Sequence, residues 1–328
     1  PNHVKDSLDF DFNKIELSNG PTPPDINARC LQLCKDYLSG VWSQQTVDSI
    51  VVKRVMGGVV NQLYYCAIGR PVANSHGVPQ EVAIRLYGPK YDSFGDNETK
   101  TNERLNDVVT AVMASRSRLG PKIYGLFEGG EILAFYKHRP FGVKEQKDPK
   151  LRAQVFKNLA KWHAMEAPVK KFHSMSQWLD GLFDCVDRYP NFTALMDEYE
   201  MQTFKTYDLE LEKGWLKQLI ESTGSPLVFG HNDFRSSNIM VLEDKNNNHI
   251  SDHANGDQLV VFCDFDASGY GYRGLDFGSI CYEWGRTFND YKFLHVFPED
   301  KEIIPLIEMY ITESVAIYGK TYAENPVN

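Results

Sequence analysis

The sequence predicts an α+β fold in two lobes, a small β-rich lobe over residues 1–137 and a larger, mainly helical lobe over residues 138–328. Strand-like apolar runs with a single helical stripe among them fill most of the first lobe, and helical spacing dominates after Pro140. A third observation is the stretch HNDFRSSN at 231–238, which separates two apolar runs. A short turn would join two strands with fewer polar groups, so this stretch indicates a loop kept for chemistry.

The elements of the first lobe follow from apolar spacing and from glycine turns. Residues 1–25 are polar, with prolines towards their end, and predict a loose arm. The segments after the arm predict, in order, a helix, two strands joined by a Gly-Gly turn, a third strand, a helix and a hairpin turning at Gly129-Gly130. These segments are ARCLQLCKDYL, SIVVKRVMGGVVNQLYYCAIG, QEVAIRLYG, residues 102–119 and KIYGLFEGGEILAFYKH.

The second lobe is predicted to be helical except around the polar loop. LRAQVFKNLAKWHAM has the spacing of an amphipathic helix that stops before Pro168, and residues 175–222 are again mostly helical in pattern. Two strands follow the loop, NIMVLE and QLVVFCDFD, with a polar stretch at 243–258 between them. A last helical region is predicted after Arg273-Gly274.

Composition and charge narrow the class of protein. The net charge of −9 argues against a nucleic-acid binder whose affinity rests on a basic surface. The six cysteines form no Cys-x-x-Cys pair, which is typical of free thiols in a reducing compartment. No segment approaches the ~18 apolar residues of a membrane span, and the acidic N-terminus lacks signal-peptide order, so we expect a cytoplasmic protein without membrane insertion. The sequence leaves the oligomeric state open, a homodimer included.

The polar loop and the end of the next strand carry the groups that phosphoryl transfer requires. Asn238 follows Asp233 by five residues, and CDFD adds Asp264 and Asp266, expected on one side of a pleated chain. A carboxylate can accept the proton of an attacking hydroxyl, while an amide oxygen and a second carboxylate can hold Mg²⁺ against nucleotide phosphates. The H-x-D-x-x-x-x-N spacing before a strand-end Asp is that of a kinase catalytic loop. Each motif alone is compatible with a turn or a strand exit, but their order favours a site for ATP and Mg²⁺.

The first lobe offers two features that suit a nucleotide. Gly57 and Gly58 lie between two strands, where glycine lets the backbone approach a phosphate, although a plain hairpin turn uses the same residues. Arg85 is the single cation of the apolar strand EVAIRLYG, and a buried cation needs an anion. That anion is either a phosphate or a carboxylate in a structural salt bridge, and the sequence leaves both open.

Several segments resemble the choline/ethanolamine kinase family, in the family's own order along the chain. They are GGVVNQLYYC, AIRLYG, LGPKIYGLF, KWHAME, LVFGHNDFRSSNIM and FCDFDASGYGYRGLDFGSICYEW. The resemblance covers most of the chain and implies a two-lobed, protein-kinase-like fold. It also implies an enzyme that uses ATP and Mg²⁺ to phosphorylate the hydroxyl of a small cationic amino alcohol. Choline is the expected substrate, giving phosphocholine for phospholipid synthesis.

The resemblance implies roles for the residues of the polar loop and its neighbours. Asp233 matches the base that faces the substrate hydroxyl, and Asn238 and Asp264 match the Mg²⁺ ligands. Asp276 matches a residue that braces the catalytic loop. We therefore expect catalysis to depend on these residues together with Arg85.

Nucleotide binding is assigned by the same resemblance. Arg85 takes the place of the strand lysine that holds the α- and β-phosphates, and its expected partner is Asp107 on the following helix, with Glu103 as a rival. Residues 134–137 resemble the adenine-binding hinge. The expected nucleotide-binding residues are Gly57, Gly58, Asn61, Arg85, Asp107 and Tyr136.

The substrate's ammonium group is expected to face Asp266, Glu283 and Phe288, with its hydroxyl at Asp233. Two departures from the family weaken the expectation of an aromatic cage for the ammonium group. Ala267 stands where the family has a tyrosine, and no tryptophan-rich segment follows IYGKTYAENPVN. A quaternary ammonium needs aromatic faces, whereas a primary ammonium prefers carboxylates. Ethanolamine kinase, another small-molecule kinase such as an aminoglycoside phosphotransferase, and a non-catalytic nucleotide-binding protein therefore stay open as alternatives.

Overall fold

The computed structural model describes residues 20–56, 60–71, 77–88, 103–171, 192–198, 200–201, 206, 208–243, 259–286 and 297–328. The chain divides into two compact units. The first comprises Pro1–Tyr91 with Ile123–Phe135, and the second comprises Asp92–Lys122 with Tyr136–Asn328. The helix predicted within residues 102–119 therefore groups with the second unit. The lobe boundary expected between residues 137 and 138 stays a prediction.

The first unit is built on a five-stranded antiparallel sheet of order β1-β2-β3-β5-β4. Its strands are β1 (Ile50–Val55), β2 (Gln62–Ile68), β3 (Glu81–Leu86), β4 (Ile123–Phe127) and β5 (Gly130–Ala134). Helix α1 (Ile26–Leu38) packs on one face of this sheet, because its apolar residues recur at helical spacing and form a buried stripe. Its core partners on the sheet are Tyr64, Cys66, Ile68, Val82, Ile84, Leu86 and Ile132.

Three buried thiols lie in this core. Cys30, Cys34 and Cys66 are fully buried, and the Sγ atoms of Cys34 and Cys66 are 4.0 Å apart. Burial raises the pKa of Cys30 to about 12, so this thiol stays protonated at neutral pH. The five cysteines among the described residues are free, which confirms the prediction of free thiols for them. Cys185 lies outside the described residues.

The hairpin predicted at Gly129-Gly130 is formed by β4 and β5, with its turn at Glu128-Gly129 and Gly130 as the first residue of β5. Gly130 is required there by a close approach of the neighbouring strand. A Cβ atom at this position would lie 2.0 Å from the carbonyl oxygen of Arg85. The second glycine of the pair therefore serves strand packing rather than the turn.

The second unit combines helices with two small antiparallel sheets. β6 (His138–Pro140), β8 (Ile239–Leu242) and β9 (Val260–Phe262) form one sheet, and β7 (Leu227–Gly230) pairs with β10 (Gly269–Tyr272). Its helices are α2 (Glu103–Arg116), α3 (Pro149–His163), α4 (Phe192–Glu198), α5 (Leu209–Ser222), α6 (Gly274–Tyr282), α7 (Asp300–Tyr318) and α8 (Thr321–Glu324). Within the described ranges, every helix is too short or too polar to cross a bilayer.

Helix α3 begins at a well-formed N-terminus. Asp148 caps it by accepting hydrogen bonds from the backbone of Lys150 and Leu151, and Pro149 suits the first helical position because the missing N–H has no partner there in any helix. The helix packs against α7, β7 and β9. Its buried apolar residues are Leu151, Val155, Phe156, Leu159, Ala160 and Trp162.

Candidate active site

The polar loop at 231–238 brings Asp233 and Asn238 together. The side-chain amide of Asn238 donates hydrogen bonds to Asp233 Oδ2 at 2.7 Å and to the Asp233 carbonyl oxygen at 3.0 Å. A 3₁₀ turn over Ser236–Asn238 folds the loop back on itself. The side chain of Asp233 is 39% exposed, whereas Asn238 is buried. An accessible carboxylate held by a fixed amide is an arrangement that suits a general base.

Hydrogen bonds connect this loop to the segment after β9. The Cys263 backbone N–H donates to the Asn238 carbonyl at 2.9 Å, and His231 Nε2 donates to the Cys263 carbonyl at 3.0 Å. Asp264, the next residue, is exposed and has a left-handed φ of +62°. That conformation is disfavoured for residues other than glycine and is found where the surroundings hold the backbone in place. Two hydrogen-bonded segments thus carry Asp233, Asn238 and Asp264.

The expectation that Asp264 and Asp266 lie on the same side of an extended strand is wrong. Strand β9 ends at Phe262, before either residue, and Asp266 lies in a turn with Ala267. The positive φ of Asp264 breaks the extended conformation, so a period of two no longer sets the side-chain directions. Asp266 is partly buried three residues beyond Cys263.

Aromatic rings anchor the polar loop in the core of the second unit. His231 and Phe234 are fully buried. The ring of Phe234 meets Phe262 edge-on at a centroid distance of 5.1 Å, and the His231 ring lies 5.6 Å from Trp162 on α3. Trp162 in turn stacks on Phe265 at 5.0 Å. The rings of His231 and Phe234 therefore attach the polar loop to the core.

Asp276, in the first turn of α6, is a buried carboxylate that contacts the loop backbone. Its Oδ2 accepts the N–H of His231 and its Oδ1 accepts the N–H of Asn232, both at 2.7 Å. His163 Nε2 lies 3.0 Å from Oδ2. Burial by itself would raise the pKa of Asp276, but the hydrogen bond from His163 and the neighbouring His163 and His231 lower it further than burial raises it. Asp276 is therefore ionised at neutral pH.

His163 extends this contact to a further helix. Its Nδ1 lies 2.9 Å from the hydroxyl of Tyr310 on α7. Because Nε2 faces a carboxylate that can only accept, Nε2 donates to Asp276, and Nδ1 has the Tyr310 hydroxyl as its partner. Burial raises the pKa of Tyr310, which keeps that hydroxyl protonated as a donor. Asp276 on α6 thus bonds to the loop backbone, and His163 on α3 and Tyr310 on α7 are linked to the loop through it.

Glu283 follows α6 and also contacts the polar loop. Its Oε2 accepts the backbone N–H of Ser236 at 2.9 Å. Gln146 adds a second connection, since its Oε1 accepts the Gly285 N–H at 2.8 Å and its Nε2 lies 3.4 Å from Ser236 Oγ. Arg273, the residue before α6, donates to the Tyr322 hydroxyl at 2.7 Å. The Glu283 carboxylate thus contacts the polar loop three residues after Asp233.

Arg85 in the first unit has a carboxylate partner. Its guanidinium Nη1 lies 3.4 Å from Glu131 Oε1, and the two residues are directly opposed on β3 and β5. The Glu131 side chain is only 2% exposed and that of Arg85 is 14% exposed. The structural salt bridge that the sequence left open is therefore present. A phosphate role for Arg85 stays a prediction.

Asn61, at the N-terminal side of β2, contacts the segment that follows β3. Its Oδ1 accepts the Gly88 N–H at 3.2 Å. The backbone at Val60 also lies close to Gly88. A Cβ atom at position 88 would lie 2.0 Å from the Val60 carbonyl oxygen, so a larger residue would not fit there. Gly57 and Gly58 themselves lie outside the described residues, as does Phe288.

Asp107 and Tyr136 lie in the second unit. Asp107 is buried on α2 and pairs with Arg104 at 3.2 Å. The expected pair of Asp107 with Arg85 would join the two units and stays a prediction. The Tyr136 side chain is buried and its hydroxyl accepts the Lys122 N–H at 3.4 Å, while burial raises its pKa.

The oxygen donors at the loop suit Mg²⁺. Asn238 uses its amide nitrogen on Asp233, which leaves the amide oxygen as its possible metal donor, with Ser237 Oγ 3.4 Å away. Asp264 supplies an exposed carboxylate on the adjoining segment. In the part of the chain that the structure describes, no three His, Cys, Asp or Glu side chains converge on a metal position. One amide and one carboxylate fit an ion that takes its other ligands from phosphates and water.

The sequence prediction missed Gln146, His163 and Glu131. His163 had a local signal, because it lies four residues after Leu159 on the buried face of α3, where a polar residue needs a partner. Gln146 and Glu131 had none, since their partners lie 90 and 46 residues away in sequence. Only the fold brings these pairs together.

Comparison with known proteins assigns the chain to a family. The profile of the family described as choline/ethanolamine kinase matches residues 52–321. The chain belongs to the choline/ethanolamine kinase family. Among its relatives in that family, the choline/ethanolamine kinases of Rattus norvegicus and Homo sapiens are each 31% identical to it, over 278 and 296 residues. These matches cover 84% and 88% of this chain and 66% and 70% of the relatives, so the chain spans about two thirds of their length.

A solved structure of another choline/ethanolamine kinase family member shows the fold. The Plasmodium vivax ethanolamine kinase superposes with a TM-score of 0.64 at 20% identity, covering 90% of this chain and 76% of that one. The two-lobed, protein-kinase-like α+β fold predicted from the sequence is thereby confirmed. The prediction of a kinase acting on an alcohol is confirmed at the level of the family.

Proposed function

We propose that this chain transfers the γ-phosphoryl group of ATP to the hydroxyl of choline or ethanolamine. The observation that carries the proposal is the hydrogen bond of 2.7 Å between Asn238 and Asp233, on a loop tied to the segment of Asp264. Family membership supports a small amino alcohol as the acceptor. The geometry supplies the carboxylate, the amide and the second carboxylate that phosphoryl transfer uses.

Asp233 acts as the general base in this proposal. Its Oδ2 is occupied by the Asn238 amide and lies 3.4 Å from Arg235 Nε, so the carboxylate is held in a fixed orientation. It is open to solvent and so to a substrate hydroxyl, whose proton it accepts as the oxygen attacks phosphorus. Asp276 and Glu283 keep the loop backbone in position on either side of this residue.

Nucleotide and metal binding are proposed for residues of both units. Asn238 and Asp264 would hold Mg²⁺, which when bound neutralises charge on the phosphates. Arg85 and Asn61 with the Gly57-Gly58 turn are proposed to bind the phosphates, and the segment of Tyr136 the adenine. Arg85 suits this role because it is a largely buried cation, and a guanidinium can bind phosphate oxygens through several N–H donors at once.

The acceptor in this proposal is recognised through carboxylates. Glu283 lies at the loop of Asp233, and Asp266 lies two residues beyond Asp264. Ala267 offers no ring for a quaternary ammonium, which favours ethanolamine, whereas the diffuse charge of two acids is compatible with choline. The resemblance to the choline/ethanolamine kinase family keeps choline as the expected substrate in this proposal, with ethanolamine as the alternative that the missing ring favours.

A coupled assay of ADP release tests the proposal. It compares choline, ethanolamine and no acceptor, each with Mg²⁺ and with a chelator. We expect ADP release that requires both an amino alcohol and Mg²⁺. If ADP release with choline and ADP release with ethanolamine both equal the acceptor-free rate, the kinase proposal is contradicted and a nucleotide-binding protein without catalysis is favoured.

Asp264→Ala tests the metal assignment separately. Removing a carboxylate from an exposed, non-helical position should leave the fold intact and abolish Mg²⁺-dependent nucleotide binding, measured by titration calorimetry. Asp36→Asn, on the exposed face of α1, controls for the loss of one negative charge. Unchanged affinity for ATP in the presence of Mg²⁺ would remove Asp264 from the site.

A further inference from the structure

Asn232, the residue before Asp233, connects three segments of the second unit. Its backbone N–H donates to Asp276 Oδ1 at 2.7 Å. Its side-chain amide donates to the carbonyl oxygens of Ala267 at 3.0 Å and Gly269 at 3.2 Å. Its φ of +63° is left-handed, which directs the side chain across the loop instead of along it.

The strands beside Asn232 leave room for its amide. A Cβ atom at Gly230 would lie 2.5 Å from Asn232 Oδ1, and one at Gly271 would lie 3.1 Å from the same atom. Gly230 is the last residue of β7 and Gly271 belongs to its partner β10. Two glycines on adjacent strands thus form the space that the side chain fills.

The orientation of this amide is determined by its partners. Both contacts at Nδ2 are carbonyl oxygens, which only accept, so the opposite orientation would place Oδ1 against two oxygen atoms. Oδ1 is buried and accepts no hydrogen bond from the described residues. The interaction of this side chain with the protein therefore rests on its NH₂ group.

We propose that Asn232 is a positioning residue that sets the spacing between Asp233 and Asp264, an inference that rests on the proposed function. The segment of Asp264 is held at its upstream end by Cys263, whose N–H and carbonyl bond to Asn238 and His231. Asn232 holds the same segment at its downstream end, three residues after Asp264. Loss of the downstream contact would let the left-handed backbone of Asp264 relax and displace its carboxylate.

A displacement of this kind acts on metal binding and turnover. An outer residue that orients a metal ligand typically contributes about 10–100-fold to metal affinity. A misplacement of about 1 Å among reacting groups can lower turnover about 10²-fold. Acceptor binding at Glu283, which is held by Ser236 and not by Asn232, should change little.

Asn232→Gly tests the proposal, because glycine keeps the left-handed backbone at little cost and introduces no charge. We expect the half-saturating Mg²⁺ concentration to rise about 10-fold, kcat to fall about 10-fold or more, and KM for the amino alcohol to stay near the wild-type value. Calorimetric titration of ADP with and without Mg²⁺ measures the metal effect independently of turnover. Asn232→Ser, which also removes the amide and introduces no charge, gives the same comparison if the glycine variant does not fold.

Tyr270→Phe is the matched control. It removes the hydrogen bond of the Tyr270 hydroxyl to the Ala167 carbonyl, at 3.3 Å, from the same β7–β10 ribbon without touching the Asp264 segment. It should lower the melting temperature and leave the Mg²⁺ dependence unchanged. If Asn232→Gly behaves like this control, with lower stability and wild-type kcat and Mg²⁺ dependence, the positioning role is wrong. Inactivity of the wild-type chain towards both alcohols would overturn the kinase proposal but not the positioning role. That role would still be tested by comparing the Mg²⁺-dependent binding of ADP to the wild type and to Asn232→Gly.

Discussion

At the scale of single residues, the buried Asp276 carboxylate fixes the backbone at the start of the polar loop. Moving an ionised carboxylate out of water is costly unless donors replace the lost solvation. Here the N–H groups of His231 and Asn232 and the ring of His163 replace it. The backbone N–H groups of the two residues before Asp233 are thereby fixed. The direction in which the Asp233 side chain projects from the backbone is therefore set by folding.

Asp233→Asn should lower turnover by about 10²-fold or more, the usual contribution of a positioned general base. The asparagine carbonyl oxygen can still accept the Asn238 amide now 2.7 Å from Oδ2, so the loop geometry is kept. Binding of ATP with Mg²⁺, measured by calorimetry, should be largely retained. A variant with more than about a tenth of the wild-type kcat would show that Asp233 is not the base.

Glu283→Gln should raise KM for the cationic alcohol about 10-fold and change KM for ATP less. The glutamine oxygen still accepts the Ser236 N–H, so the substitution removes the charge and preserves the contact with the loop. Steady-state kinetics with each substrate varied in turn measures the difference.

Glu283→Ala provides the comparison for this prediction, because it removes both the charge and the hydrogen bond to Ser236. If Glu283 serves only the loop, Gln behaves like the wild type and Ala loses stability and kcat. KM values for choline and ethanolamine that stay unchanged in the Gln variant would exclude Glu283 from substrate recognition.

At the scale of secondary-structure elements, helix α3 shows which parts of the fold local sequence determines. Asp148 and Pro149 specify where it begins, and its apolar period specifies the face it buries. Strand β9 shows the opposite case: the strand predicted over QLVVFCDFD is longer than the observed strand Val260–Phe262. Its end is set by the left-handed Asp264, a tertiary constraint that a local pattern does not reveal.

Asp148→Ala should lower the free energy of unfolding by about 1 kcal/mol, the usual contribution of an N-cap. The first turn of α3 precedes a deeply buried face, so fraying there exposes core. Urea unfolding measures the loss.

Asp208→Ala is the matched variant, since Asp208 caps α5 by accepting the Leu211 N–H at 3.0 Å. Helix α5 exposes Leu211, Trp215 and Leu219, at 70%, 56% and 45%, so fraying of its first turn should affect global stability less. Equal losses in the two variants would contradict the idea that burial of the helix face determines the effect.

At the scale of the whole molecule, contacts between residues distant in sequence hold the polar loop in place, and local motifs do not predict these contacts. The spacing of Asp233, Asn238 and Asp264 was visible in the sequence because it falls within one loop and one strand end. The link from His163 on α3 through Asp276 on α6, and to Tyr310 on α7, joins residues 113 and 147 positions apart. Such distances carry no local pattern, and only the packing of three helices reveals the link.

This link makes stability depend on pH. The folded-state pKa of Asp276 is lowered, so its contribution to stability is fully present above the unfolded-state pKa of about 3.9 and is lost as pH falls through the lower folded-state pKa. The difference in unfolding free energy between wild type and Asp276→Asn should therefore be large at neutral pH and shrink below about pH 4. Urea unfolding across this range measures it, with Asp36→Asn as the charge control, and a difference that stays constant with pH would contradict the assignment.

The buried ring cluster under the polar loop has a consequence for how the second unit opens. Active-site loops commonly exchange their amide protons through small local fluctuations. The amides of His231 and Asn232 are bonded to a buried carboxylate, and the rings of His231 and Phe234 pack among Trp162 and Phe262. Exposing these amides to deuterated solvent requires separating rings that also form the core. They should therefore exchange as slowly as the central residues of α3, and a loop rich in polar side chains would belong to the last part of the unit to unfold.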